Sequence, residues 1–369
     1  MPRRPPLNSI SPQRICLIKP SAFGDIVQTL PVLGMLRGRF PRAHIAWVVK
    51  APFAPLLQGH PQLDEVILLP YPRGLRARIG ALRQTMRELR AAEFDLAIDL
   101  QGLARSGLLT WSTRAARRVG SSLSREFSHL AYTDRVAVGP WHQPALETLL
   151  PIANALGCEG PPPPAQVHVP AESTAWADEK LASLPRPLLA LCPGAQWETK
   201  RWPPESFAGL ARLAIREFNA GVVIVGGPNE QHLGDEVCRL IGKDGDLPGG
   251  RPAPALNLAG KSNVAQLAGI CQAVDIFVSG DSGPMHLAAA LNTPTLGIFT
   301  CTDPVRSGPR RDLPNQPHRC VATNVECAAS YITRCRKMVC MGELSPGRVW
   351  PELRQMLESA AATRRKIAG

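Results

Sequence analysis

Residues 273–290 leave this chain few ways to fold. An apolar run, Ala273-Val274-Asp275-Ile276-Phe277-Val278, passes through Ser279-Gly280-Asp281-Ser282-Gly283-Pro284 into Met285-His286-Leu287-Ala288-Ala289-Ala290. The run has the length and composition of a buried strand, and the alanine-rich stretch those of a helix. A strand, a glycine turn and a helix start leave backbone N–H groups unpaired and aimed at one spot. Such a spot favours phosphate or pyrophosphate. The motif therefore predicts a parallel sheet and a nucleotide-linked ligand.

The rest of the sequence repeats that grammar twice. In the first half, strands are expected at 14–18, 44–49, 65–69 and 94–100, with helices near 25–39 and 79–92 between them. The second half restarts with strands at 188–192, 221–227, 256–259 and 296–299, and helices at 204–218, 264–273 and 346–366. Strands separated by helices pair in parallel and wind into doubly wound sheets. At 369 residues the chain suits two domains. The four prolines at 161–164 are the best linker candidate, and the glycine- and proline-rich stretch 244–254 reads as a flexible insert. The expected division is 1–165, 166–345 and a C-terminal helix, 346–369, with packing back on the N-terminal domain. Two such Rossmann-like domains place ligands at the carboxyl ends of their strands, and a cleft between the domains is the default site.

Charge and composition narrow the function class. The formal net charge is +12, concentrated in arginines at 73–90 and 105–125. Aromatic residues make up only 5% of the chain, and no stacking residues are interleaved with those arginines, so nucleic acid is not expected. A basic face of this kind also meets anionic lipid headgroups or an acidic substrate, or is simply solvated. No apolar run approaches the ~18 residues of a membrane span. The N-terminal Met1-Pro2-Arg3-Arg4-Pro5-Pro6 lacks a signal-peptide core, so a cytoplasmic location is expected. Six of the ten cysteines are scattered through the chain and read as small core residues. The others, Cys320, Cys327, Cys335 and Cys340, crowd one segment without the paired spacing of a common zinc site, and read as labile thiols rather than metal ligands.

Four strand-end loops carry the candidate chemistry. In Lys19-Pro20-Ser21-Ala22-Phe23-Gly24-Asp25, the Asp25 carboxylate either favours a helix start or serves as a base on a hydroxyl. In 193–203, Lys200 and Arg201 lie between Trp197 and Trp202, just ahead of a helix, where cations suit a diphosphate. Asp281 is either a plain N-cap or a receiver of ligand hydroxyls, while Ser282 and Gly283 offer backbone donors. Glu230, after Gly226-Gly227-Pro228-Asn229, is placed to accept from sugar hydroxyls.

Taken together, these segments resemble glycosyltransferase family 9, the lipopolysaccharide heptosyltransferases. The resemblance rests on Lys19-x-Ser21-x-x-Gly24-Asp25 with Thr29-Leu30-Pro31, and on Ile98-Asp99-Leu100-Gln101-Gly102-Leu103-x-Arg105-Ser106. It rests also on Pro193-Gly194-Ala195-x-Trp197-x-Thr199-Lys200-Arg201-Trp202-Pro203, on 281–290, and on Thr302-Asp303-Pro304. Gln28 stands where many members carry histidine, and Ser282 where threonine is usual.

The resemblance implies a GT-B architecture and an inverting, metal-independent transfer from ADP-heptose, with no cofactor, to an anionic glycolipid of the lipopolysaccharide inner core. It implies Asp25 as general base and Lys200 on the diphosphate. Arg201, Glu230, Asp281, Ser282, Gly283, Pro284, Met285 and His286 complete the donor site. Ser21, Gly24, Gln101, Arg105, Arg73, Arg76 and Arg78 contact the acceptor, with peripheral contact at the inner membrane. A sugar-nucleotide epimerase of the same architecture and a non-catalytic saccharide-binding protein are the alternatives.

Overall fold

Each half of the chain builds one six-stranded, wholly parallel sheet. The structure is a computed structural model describing residues 4–140, 142–242, 253–309 and 317–368. It divides into two units between His168 and Val169, just past the four prolines. The first unit runs β1 (Arg14–Ile18), α1 (Phe23–Arg39), β2 (His44–Lys50), β3 (Glu65–Leu69), α2 (Leu75–Ala91), β4 (Leu96–Asp99), α3 (Ala104–Ser112), β5 (Arg117–Ser121), β6 (Asp134–Val136) and α4 (Leu150–Ala155). The second opens with α5 (Ala171–Leu181), β7 (Leu188–Cys192), α6 (Pro204–Phe218), β8 (Gly221–Ile224), α7 (Gln231–Gly242) and β9 (Ala255–Asn257). It continues with α8 (Val264–Ala273), β10 (Ile276–Gly280), α9 (Gly283–Ala290), β11 (Thr295–Phe299), α10 (Pro304–Ser307), β12 (Arg319–Ala322), α11 (Val339–Glu343) and α12 (Pro346–Ala368).

The strand orders are β3-β2-β1-β4-β5-β6 and β12-β11-β10-β7-β8-β9. Numbered within its own unit, the second sheet repeats the first, and both have the Rossmann order. The order reverses between β1 and β4 in one unit and between β7 and β10 in the other. At such a reversal the connections leave toward opposite faces, and a crevice opens beyond the strands' carboxyl ends.

The central strands are buried on both faces, which explains their unbroken apolar runs: Ile15 through Ile18, Leu188 through Leu191 and Ile276 through Val278 are all fully buried. In the second unit, Trp202 lies edge-on to Phe207 and donates its indole N–H to the Leu344 carbonyl at 2.7 Å. Helix α12 packs on α6 and β12 and adds Val349, Leu353, Met356 and Leu357 to that unit's core.

One local difference from the sequence reading has a physical cause. Helix α2 begins four residues before the expected start, at Leu75, right after Gly74 in the left-handed region (φ 91°). Its first apolar residues, Leu75 and Ile79, face solvent, so the core-facing period starts only further on. The stretch 244–254 falls almost wholly outside the described residues.

Beyond β4 the chain is held by one buried carboxylate. Asp99 accepts the N–H groups of Gln101 and Gly102, both at 2.9 Å, and the Tyr132 hydroxyl at 2.8 Å. Burial pushes its carboxyl up, and those donors pull it back toward the charged form. The Tyr132 ring lies where any Cβ on Gly120 would sit, so β5 needs glycine there. Replacing Tyr132 by phenylalanine leaves one buried carboxylate oxygen short of a donor. A loss of about 1–3 kcal/mol is expected, read as a lower denaturant midpoint at unchanged m-value.

Candidate active site

The reversal between β7 and β10 sets two loops side by side. Register pairs Cys192 with Ser279, so the segment after β7 crosses the end of β10. A Cβ on Gly280 would collide with the Lys200 carbonyl, and glycine alone permits that crossing. Lys200 then donates to the Asp281 carboxylate at 2.7 Å, and its ammonium lies 4.4 Å from the centre of the Trp197 ring. Asp281 is buried, with the His286 ring nitrogen 3.9 Å from its other oxygen. Of the two readings of Asp281, the N-cap one does not hold: the residue preceding α9 is Ser282, and Asp281 is committed to Lys200.

Ser282 bonds Ser279 through its hydroxyl at 2.7 Å and caps none of the N–H groups of α9. Gly283 and Met285 therefore begin the helix without a capping side chain, and Pro284 brings no N–H of its own. Positive potential remains at that end. Arg201 turns back within its loop, giving its Nε–H to the Ala195 carbonyl at 2.8 Å. Glu230 closes a short 3₁₀ turn, accepting from the Gly227 N–H at 2.7 Å, and its carboxylate lies against Gly194. It thereby spans the loops after β7 and β8. The sequence reading named Thr199 only within the 193–203 motif and gave it no role. Its hydroxyl donates to the Ile332 carbonyl at 2.7 Å and accepts from the Cys301 thiol, while its carbonyl accepts from Thr300. Lys200 thus leaves a residue anchored on three sides.

The reversal between β1 and β4 does the same in the first unit. Asp25 sits at the third position of α1 and accepts from the Ala22 N–H at 3.3 Å. The buried Lys19 ammonium lies 3.6 Å from that carboxylate and donates to the Leu100 carbonyl at 3.1 Å. The Gln101 side chain accepts from the Ser21 N–H at 3.3 Å, so the loops after β1 and β4 are tied together. Gly24 is buried in the first turn of α1. Asp25 therefore joins a helix N-terminus and a lysine while remaining partly open to solvent.

Further along the same carboxyl edge, three cations converge on one tyrosine. Lys50 at the end of β2, Arg78 in α2 and Arg105 at the start of α3 lie 4.6, 4.2 and 5.4 Å from the centre of the Tyr71 ring. Burial lowers the Lys50 ammonium from its ordinary range, and the neighbouring Arg105 and Arg78 charges lower it further. Among the described residues no carboxylate forms an ion pair with any of the three. Such a group favours an anion bearing more than one charge. Arg73 and Arg76 stand exposed beside it. Lys50 and Tyr71 were missed in the sequence because neither belongs to a motif. The rule that ligands meet strand ends would have found Lys50.

All ten cysteines are free. Cys327 and Cys335 are exposed and Cys340 is buried. Among the described residues no group of three or more His, Cys, Asp or Glu side chains is placed to hold a metal ion.

Comparison with known proteins bears on what this geometry serves. The family model for glycosyltransferase family 9 (heptosyltransferase) matches residues 82–339. Lipopolysaccharide heptosyltransferase 1 of Pseudomonas aeruginosa is 29% identical, the match covering 93% of this chain and 98% of that one. The lipopolysaccharide core heptosyltransferase of Haemophilus influenzae is 25% identical, covering 84% and 85%. Among solved structures, Escherichia coli ADP-heptose heptosyltransferase II superposes with a TM-score of 0.75 at 25% identity, over 94% of this chain and 99% of that one. The fold is that of the GT-B glycosyltransferases. With its motifs at both points of strand reversal and most of its length matched, the chain belongs to glycosyltransferase family 9, the heptosyltransferases.

Proposed function

We propose that this enzyme moves a heptose from ADP-heptose to an anionic saccharide of the lipopolysaccharide core, inverting the anomeric carbon without a metal ion. The observation that carries the reading is the Lys200–Asp281 pair beside the uncapped start of α9, at the point of strand reversal in the second unit. The names of the relatives, lipopolysaccharide heptosyltransferases among them, supply the donor and acceptor classes.

In this reading the diphosphate lies against the N–H groups of Gly283 and Met285 and the Lys200 ammonium. Asp281 and Trp197 hold that ammonium in place, and Asp281 together with Glu230 accepts donor hydroxyls. Pro284 and His286 shape the turn, and Arg201 keeps the loop closed. The acceptor oxygen attacks the anomeric carbon as the bond to the diphosphate oxygen breaks. The acceptor proton passes to the Asp25 carboxylate, and ADP departs with the electron pair. Charge growing on ADP meets a fixed cation and helix dipole, the role a divalent metal fills in other phosphate-leaving reactions. Addition of a chelator is accordingly expected to leave the rate unchanged. Ser21, Gly24 and Gln101 shape the floor on which the acceptor sits. Lys50, Arg78 and Arg105 grip its phosphate or carboxylate groups, with Arg73 and Arg76 at the rim.

Three variants separate these roles. Asp25→Asn keeps the shape but removes the base, so kcat is expected to fall by about 10²–10⁴ with donor binding intact, as measured by calorimetry with ADP. An unchanged kcat would remove Asp25 from the chemistry. Lys200→Ala should cost on the order of 10²–10³ in kcat/KM for the donor. Arg105→Ala should raise the acceptor KM while the donor KM stays put. A shift in the donor KM instead would move the cation cluster to the other substrate.

A further inference from the structure

Two serines beneath the start of α9 are bonded to each other rather than to the helix. Ser279, next to the last residue of β10, is fully buried, with Cys192 and Gly297 as its register partners on β7 and β11. Its hydroxyl donates to the Gly280 carbonyl at 2.8 Å and lies 2.7 Å from the Ser282 hydroxyl. A serine carries one hydroxyl proton, so with that proton on Gly280 the Ser282 hydroxyl is the donor of the pair. The Cys192 thiol stands beside both hydroxyls, and burial pushes it up to about 12, so it brings no charge there.

Ser282 thereby forgoes a bond that its place in the chain offers. It holds the capping position of α9 with extended backbone (φ −142°, ψ 161°), the conformation from which a serine caps a helix. A capping hydroxyl accepts from the second or third helical N–H, and Pro284 has none, so the Met285 N–H is the one in reach. Elsewhere in this unit such side chains do bond their own helix: Asn263 accepts from the Gln266 N–H and Asp303 from the Val305 N–H, both at 2.8 Å. The Met285 side chain is fully buried against Gly297, where a Cβ would lie 3.2 Å from its sulfur. Packing thus fixes the Met285 backbone whether or not a hydroxyl takes its N–H.

We propose that Ser279 is a positioning residue for the donor: it holds the Ser282 hydroxyl away from α9 and leaves the Met285 N–H to the diphosphate. This rests on the reading that the diphosphate meets the start of α9. The stability of one helix cap is given up so that one anion donor stays open. A hydroxyl left loose at position 282 would occupy that N–H in the empty enzyme, and each ADP bound would first have to displace it.

The test is calorimetry of the full chain with ADP, run on Ser279→Ala, on Ser282→Ala and on the double variant, with adenosine as the phosphate-free control. In Ser279→Ala the freed hydroxyl caps α9, and the ADP Kd is expected to rise about three- to tenfold while adenosine binding stays put. Its melting temperature should hold, because the cap gained offsets the hydroxyl pair lost. In the double variant no hydroxyl remains to cap, so ADP affinity should match that of Ser282→Ala alone. An ADP affinity unchanged by Ser279→Ala overturns the proposal. So does an equal loss in the native and Ser282→Ala backgrounds, since Ser279 would then act through packing alone. A native chain that binds no ADP removes the donor reading itself, and this proposal with it.

Discussion

Everything at the candidate site depends on which strands are neighbours. Because β7 lies beside β10, residues 81 positions apart in sequence meet as an ion pair at 2.7 Å. Because β1 lies beside β4, the loop holding Asp25 is bonded through Lys19 to Leu100 and through Ser21 to Gln101. The backbone fixes these encounters before any side chain chooses a rotamer. Asp281 is buried and Lys200 half-buried in this pair, so losing Lys200 leaves the Asp281 charge in a poor solvent. That makes the pair a point of register for the loop after β7 as well as a chemical group.

The central strands and the four polar loops were legible because burial on both faces demands continuous apolar runs and because Gly and Pro punctuate strand ends. Three outer strands, β5, β6 and β12, were not. β5 reads Arg-Arg-Val-Gly-Ser, β6 has three residues, and β12 is only partly buried, so none carries a run that burial would enforce. Helix α3 was hidden for a related reason: its residues serve the core, the cation cluster and the surface at once. At the site itself, Asp25, Lys200 and Asp281 could be named from motifs. The partnership of Lys200 with Asp281 could not, since it arises from a crossing of backbones. Lys50 and Tyr71 escaped because strand-end position, and no local pattern, distinguishes them.

Positive charge is used in two ways along this chain. Lys19 is buried and Lys200 half-buried beside carboxylates, so their fields are short-ranged and little altered by salt. Lys50, Arg78 and Arg105 have no such partner among the described residues, and they share one partly exposed ring. Their mutual repulsion is a standing cost that an anion relieves on arrival. A site of this kind is sensitive to ionic strength and to the charge count of its ligand, whereas the Lys200 loop reads shape and orientation. The two units thus answer to different physical variables although their sheets have the same topology.

The anchoring of Thr199 on the Ile332 carbonyl gives the cysteine-bearing segment an experimental value. Three residues past Ile332 stands Cys335, exposed, its thiol lowered by the N–H groups of Met338 and Lys337, which makes it a readily alkylated position. A fluorine or fluorophore tag there would sit on the far end of a short covalent lever whose near end rests on the residue before Lys200. Motion of the Lys200 loop would then be visible spectroscopically without altering Lys200 or Asp281 themselves.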